Sequence, residues 1–212
     1  MADWVTISSL ATAGGTLVLA GATFASVRSA NRASRVAERS LLTELRPLLV
    51  PSRLEDATQK VGFVDGKWLH VPGSGAAAET SDEAAYLAIS LRNVGSGIAA
   101  LHGWRFAVGR DISQDPPDPE TFTRLTRDLY VAAGDVGFWQ GTFRDPSTDE
   151  FTAARTAIEA REDVTIEVLY GDLEGGQRMI SRYALTPRDD GNWLAAAGRH
   201  WNVDGPDPRR SG

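Results

Sequence analysis

The chain has 212 residues, enough for one domain of about 150 residues plus appendages. Its net charge of −6 argues against a nucleic-acid partner, which needs phosphate neutralisation, and the absence of cysteine excludes disulfides and thiolate metal sites. The charge is uneven: residues 1–27 carry −1, residues 28–46 carry +3 and residues 47–212 carry −8.

Trp4 to Val27 is a run of 24 residues without a charge. As a helix rising about 1.5 Å per residue it reaches across a bilayer core, with Trp4 where an interfacial aromatic anchor sits. The run also holds seven Ser or Thr and three Gly, whose hydroxyls can bond back to helix carbonyls. A signal peptide cleaved near Ala20-Gly21-Ala22 and a buried soluble helix are the competing readings; the first lacks a basic leader and the second is rare at this length. The expectation is a transmembrane anchor over 1–27. Arginines lie only on its C-terminal side, which places that side in the cytoplasm and the short N-terminus outside. Ala11 with Gly15, and Gly21 with Ala25, are small residues four apart that would let helices pack closely in lipid.

No helix breaker follows. Arg28, Arg32, Arg35, Arg39 and Arg46 step by 4, 3, 4 and 7, within about 40° of one line on a helix. Ala30, Ala37, Leu41 and Leu45 fall roughly opposite. The anchor is therefore expected to continue as a basic amphipathic juxtamembrane helix over 28–46, ended by Pro47. Its arginines can lie along anionic headgroups and its Ala/Leu stripe can pair with another copy.

After Pro47 the period changes to two. "RPLLVPS" is a short strand, and "KVGFVDGKWLHV" places Asp65-Gly66 between apolar flanks, a strong hairpin signal. Residues 72–84 are small and acidic and read as a loop. Leu87, Ile89 and Leu91 alternate with smaller or polar residues, as do His102, Trp104, Phe106 and Val108. An acidic, proline-rich loop covers 111–120. "DLYVAA" and "VGFWQGTF" flank Gly134-Asp135. Ser147 and Glu150 form a capping box for a short helix carrying Phe151, Ala154 and Ile158 on one face. Strands then follow in "VTIEVLY", "QRMISRYAL" and "NWLAAAGRHWNV". Half-buried alternation implies antiparallel sheets, here two packed face to face as a β-sandwich over 47–203, with a disordered tail at 204–212.

Gly95-Ser96-Gly97-Ile98-Ala99-Ala100 matches the dinucleotide-binding pattern G-x-G-x-x-G/A. That fold needs a strand buried on both faces before the glycines and a helix after them. Here an alternating strand precedes them and aromatics recur at every second position afterwards. Asn93, Gly95 and Gly97 are therefore a strand-to-strand turn. They can take left-handed conformations or let a neighbouring segment approach the backbone.

The basic helix, "RPLLV", "LRNVGSGIA" and the hairpin "VLYGDLEGGQRMISRYAL", with Tyr170, Asp172 and Gly175, together resemble a group of uncharacterised bacterial single-pass membrane proteins. Their soluble part begins at an Arg-Pro strand and carries an N-x-G-x-G-x-A-like turn. The resemblance implies an immunoglobulin-like sandwich and a membrane topology, not an activity.

No motif for nucleophilic, zinc-hydrolase or P-loop chemistry is present. His70, His102 and His200 lie in separate strands without ligand spacing, and Asp111, Asp115, Asp118 and Glu120 lack the EF-hand pattern. No cofactor is expected. The leading expectation is a membrane-anchored protein-interaction or structural module without enzymatic activity. Its partners are membrane lipids and a protein, itself among the candidates. A small-ligand receptor or enzyme with a pocket at one end of the sandwich, and a secreted sandwich, are the alternatives.

Overall fold

A computed structural model describes residues 4–205, and the chain divides into two units, the first through Thr43 and the second from Glu44. The first unit is helix α1, Trp4–Glu44, a single run that stops before Pro47, whose ring and missing N–H end helical geometry. Among the described residues no helix is long and apolar enough to cross a membrane, so the transmembrane anchor expected over 1–27 is not supported. The physical reason is dilution: seven hydroxyl residues and three glycines share that stretch with the apolar side chains.

The second unit is mainly β. Its strands are β1 (Leu49–Pro51), β2 (Gln59–Gly62), β3 (Trp68–Val71), β4 (Gly75–Thr80), β5 (Ala85–Asn93), β6 (Ala99–Val108), β7 (Thr123–Val131), β8 (Val136–Phe143), β9 (Val164–Gly171), β10 (Met179–Pro187) and β11 (Trp193–Asn202). A 3-10 turn, Pro119–Thr121, precedes β7, and helix α2, Asp149–Glu159, follows β8. Thr148, rather than Ser147, caps α2, accepting from the Phe151 N–H. Phe151, Ala154, Ala157 and Ile158 of α2 are buried.

The strands do not form the two face-to-face sheets of the expected sandwich. Hydrogen bonding runs through nine strands in one antiparallel sheet: β8, β5, β4 with β1, β11, β10, β9, β6, β7. The sheet curls until its ends meet. Trp104 of β6 lies edge-on to Trp139 and Phe143 of β8, with ring centroids 5.3 and 5.0 Å apart. One apolar core fills the curl, drawing Leu87, Ile89 and Leu91 from β5, Ile166 and Val168 from β9, and the buried face of α2. Alternation alone cannot distinguish a sandwich from a curl, since both have one inward face per strand.

The outer face is covered in two places. The separate β2–β3 hairpin packs Val61, Phe63, Leu69 and Val71 over Tyr86 and Ala88. Trp201 and Ile180 pack with Leu169, and Phe122 lies against them. Strands β5 and β9 are therefore buried on both faces, although their sequences alternate.

Candidate functional site

The turn after β5 is built around the entry of the chain into the β unit. Asn93 is fully buried, and its side chain makes four hydrogen bonds. Oδ1 accepts from the N–H groups of Leu48 (3.1 Å) and Gly95 (3.0 Å). Nδ2 donates to the carbonyls of Gly97 (2.6 Å) and Val131 (3.0 Å). The backbone adds Val94 N–H to Leu48 O and Ser96 N–H to Arg46 O. A methyl group on Gly95 would overlap the Arg46 carbonyl, and one on Gly97 the Leu45 carbonyl. Neither glycine nor Asn93 has positive φ, so close backbone approach, not left-handed geometry, explains this motif. The loop cradles the chain's own backbone in the place where a dinucleotide loop would hold phosphate.

One residue downstream the entry is pinned again. Tyr170 Oη accepts from Leu49 N–H (3.2 Å) and Tyr183 Oη donates to Leu49 O (2.9 Å). Burial pushes both phenols above their ordinary pKa. Ser181 Oγ lies 2.8 Å from Tyr170 Oη and 2.6 Å from His200 Nδ1. This serine–histidine pair resembles nucleophile chemistry, but Ser181 is fully buried and its hydroxyl serves the core.

Asp65 and Gly66 form the tip of the β2–β3 hairpin as expected, with Gly66 at φ +84. Asp65 Oδ2 accepts from Tyr86 Oη and Arg144 Nη1, both at 2.6 Å, and so fastens the hairpin to β5 and the end of β8. Burial alone would raise the Asp65 pKa, but these donors and the Lys67 N–H hold it at about 2.

On α1, Arg28, Arg32, Arg35 and Ala25 are exposed, and open space surrounds the Cβ positions of Gly15 and Gly21. The side chains of Trp4, Ala11 and Arg39 lie outside the described residues, as do residues 206–212 of the expected tail. Phe24 is 70 % exposed, and Leu19, Val27 and Val36 are also open to solvent.

The feature that the sequence did not announce is the seam where the curled sheet fails to close. Among the described residues strand β7 pairs only with β6, and β8 only with β5. The two meet beside the 132–135 turn, where a methyl group on Gly137 would touch Val131 at 2.8 Å. Toward Thr123 and Phe143 no backbone ladder joins them among the described residues. A cavity of about 350 Å³ opens there, lined by Phe63, Val64 and Trp104, by Thr123–Arg127 of β7, and by Gln140–Thr142 of β8 with Arg144. The β6–β7 register slips at this level: Leu101 faces Leu129, but Gly103 faces Arg124, so residues 125–128 bulge out opposite His102. Trp104 is part of its floor, and the Trp139 and Trp104 rings crowd Gly141, where a Cβ would meet them at 2.7 and 3.1 Å.

The chemistry of this cavity is local and unlike the rest of the unit. Three arginines, Arg124, Arg127 and Arg144, line it and no carboxylate does. Arg144 is paired with Asp65 and Arg127 stacks on Phe138, whereas Arg124 makes no ion pair among the described residues. Gln140 Oε1 is buried without a hydrogen-bond partner, a cost normally met by a ligand or water. Overall acidity concealed this basic cluster, because Arg144 is 17 residues beyond Arg127 in sequence and meets Arg124 and Arg127 only through the fold.

A second missed group lies where β9 pairs with β6 and β10. Glu167, 2 % exposed, receives Arg105 Nε on Oε2 (2.7 Å) and Arg182 Nε on Oε1 (2.8 Å). Arg182 also bonds the Asp111 carboxylate (2.8 Å) and the Ser113 carbonyl (2.9 Å), and stacks on Trp201. Every direction of the guanidinium is used, so the group fixes the start of the acidic 111–120 loop, at Asp111 and Ser113, to β10. Among the described residues no cluster of three His, Asp or Glu is placed to hold a metal. No family model matches the chain, and no curated protein is similar to it at a significant level.

Proposed function

We propose that the β unit is a protein-interaction module whose contact surface is the β7–β8 seam. The observation that carries the reading is a pair of unpaired strand edges flanking an arginine-lined cavity in an otherwise acidic unit. Such edges are a liability unless covered, blunted or used, and here an apolar floor lies between them. A photoreactive residue at Thr126 tests this in the native cell, with Ala196 on the far wall as the control position. A discrete adduct at 126 and none at 196 is expected; no adduct at 126, or equal labelling at both, refutes the seam.

A second component of the proposal concerns α1, which would hold the module at the cytoplasmic face of a membrane by lying along the lipid. Exposed Arg28, Arg32 and Arg35 favour this, together with uncovered Leu19, Phe24, Val27 and Val36. Juxtamembrane arginines gain about 1 kcal/mol each at an anionic surface. Flotation with phosphatidylserine vesicles is expected for the full chain and lost on R28E/R32E/R35E; equal flotation of both proteins removes this component.

A further inference from the structure

We infer that the seam takes an extended acidic peptide as an added strand along β8, an inference that rests on the seam being the interaction surface. Of the two edges, β8 is the better template. Its ladder with β5 is continuous from Val136↔Arg92 to Phe143↔Ala85 with no slip, so its free side presents a regular row of backbone donors and acceptors. The β7 edge is interrupted by the 125–128 bulge, which blunts pairing on that side. The same bulge lines the cavity through Leu125, Thr126 and Arg127. The cavity lies against the straight portion of β8, at Gln140, Gly141 and Thr142.

The occupant's chemistry follows from what surrounds it. Arg124 and Arg127 belong to β7 and carry the charge, Arg144 beside them is already paired with Asp65, and no acid is among the lining residues. Because residues 47–212 carry a net −8, an arginine-lined cavity without a lining acid is a local exception that draws an acidic segment, which favours position as well as partner. Phe63, Val64 and Trp104 offer apolar contact to the alternate side chains of an incoming strand. Gln140 Oε1, buried and unmatched, accepts an N–H from it. The partner is therefore a strand that alternates apolar and acidic residues.

The test uses the full chain and labelled peptides about eight residues long, a typical strand length. One alternates valine and glutamate, one alternates valine and lysine, and a third is the glutamate peptide with every second amide N-methylated. The glutamate peptide is expected to raise fluorescence anisotropy and to slow hydrogen exchange at residues 137–142. Its affinity should fall with salt, and at least about tenfold in R124E/R127E, whose substituted side chains are exposed. N-methylation should abolish binding. Equal binding of the lysine peptide, undiminished binding of the N-methylated one, or protection confined to other strands overturns the inference. If no peptide binds while Thr126 still forms its discrete adduct, strand addition is wrong and the seam reading survives; if both fail, both are wrong.

Discussion

Replacing Asn93 with alanine tests whether the glycine-containing turn is a structural clasp. The substitution removes four hydrogen bonds from a fully buried site and leaves Leu48 N–H, Gly97 O and Val131 O without that partner. At about 1 kcal/mol net per bond, the loss is about 4 kcal/mol. For a unit of this size each kcal/mol lowers Tm by about 2–4 °C, giving a fall of about 8–16 °C. Asn93→Asp should cost a comparable amount, because it turns an oxygen toward two carbonyls. Gly97→Ala should also be strongly destabilising, since its methyl overlaps the Leu45 carbonyl and the entry segment must move. Gly66→Ala is the calibration: its site is open, so only positive-φ strain of about 1–2 kcal/mol applies. Urea unfolding followed by tryptophan fluorescence measures all four. If Asn93→Ala costs no more than Gly66→Ala, the clasp does not hold the chain entry and the argument fails.

Glu167→Ala leaves the Arg182 guanidinium buried without its main counter-charge and should cost about 3–5 kcal/mol, whereas Glu167→Leu with Arg182→Met should recover much of it; chemical denaturation of the three proteins decides. The Asp65 pKa is depressed on folding, so its contribution is present above the unfolded value of 3.8 and lost as pH falls toward 2. Wild type should therefore lose its Tm advantage over Asp65→Asn across that interval. The difference should be modest, because the carboxylate is partly solvated; a constant gap from pH 6 to 2 contradicts the assignment. Gly141→Val should cost about 1–3 kcal/mol, because its side chain meets the Trp139 and Trp104 rings, and thermal unfolding measures it.

Local chemistry was legible in the sequence wherever one residue type determines the backbone. Pro47 ends α1, Asp65-Gly66 makes the hairpin, and the aromatic alternation after Gly97 correctly placed a strand where a nucleotide fold needs a helix. What failed was what depends on neighbours. Residues 75–80 read as loop because Gly and Ala have weak strand preference, yet they form β4 between β11 and β5. Ala88 and Ser90 looked solvent-facing, but Ala88 packs beneath the β2–β3 hairpin and Ser90 is buried with a hydrogen bond from Ser52. The Glu167–Arg182 pair was recoverable: counting back from the "GDLEGG" turn sets these opposite charges directly across from each other in two apolar strands. The seam was not, because no pattern in β7 or β8 states that the sheet curls until the two edges face one another.

The clasp and the seam are parts of one construction. Asn93 reaches the carbonyl of Val131, the last residue of β7, while its backbone bonds Asp135 O and Gly134 N–H in the turn before β8. One buried side chain thus joins the chain entry to the closed end of the β7–β8 pair. With that end fixed, widening at the seam is confined to the far end, where the 125–128 bulge, Gln140 and the arginines lie. A strand entering there meets a gap whose depth is limited by the Val131–Gly137 contact and whose β8 wall is held along its length by β5. Loosening the clasp should therefore change peptide affinity at the seam as well as stability. A clasp variant that remains folded, such as Asn93→Ser, should bind the glutamate peptide more weakly with R124E/R127E sensitivity retained. Unchanged affinity in a measurably destabilised Asn93→Ser protein would show that the two features share strands without sharing mechanics.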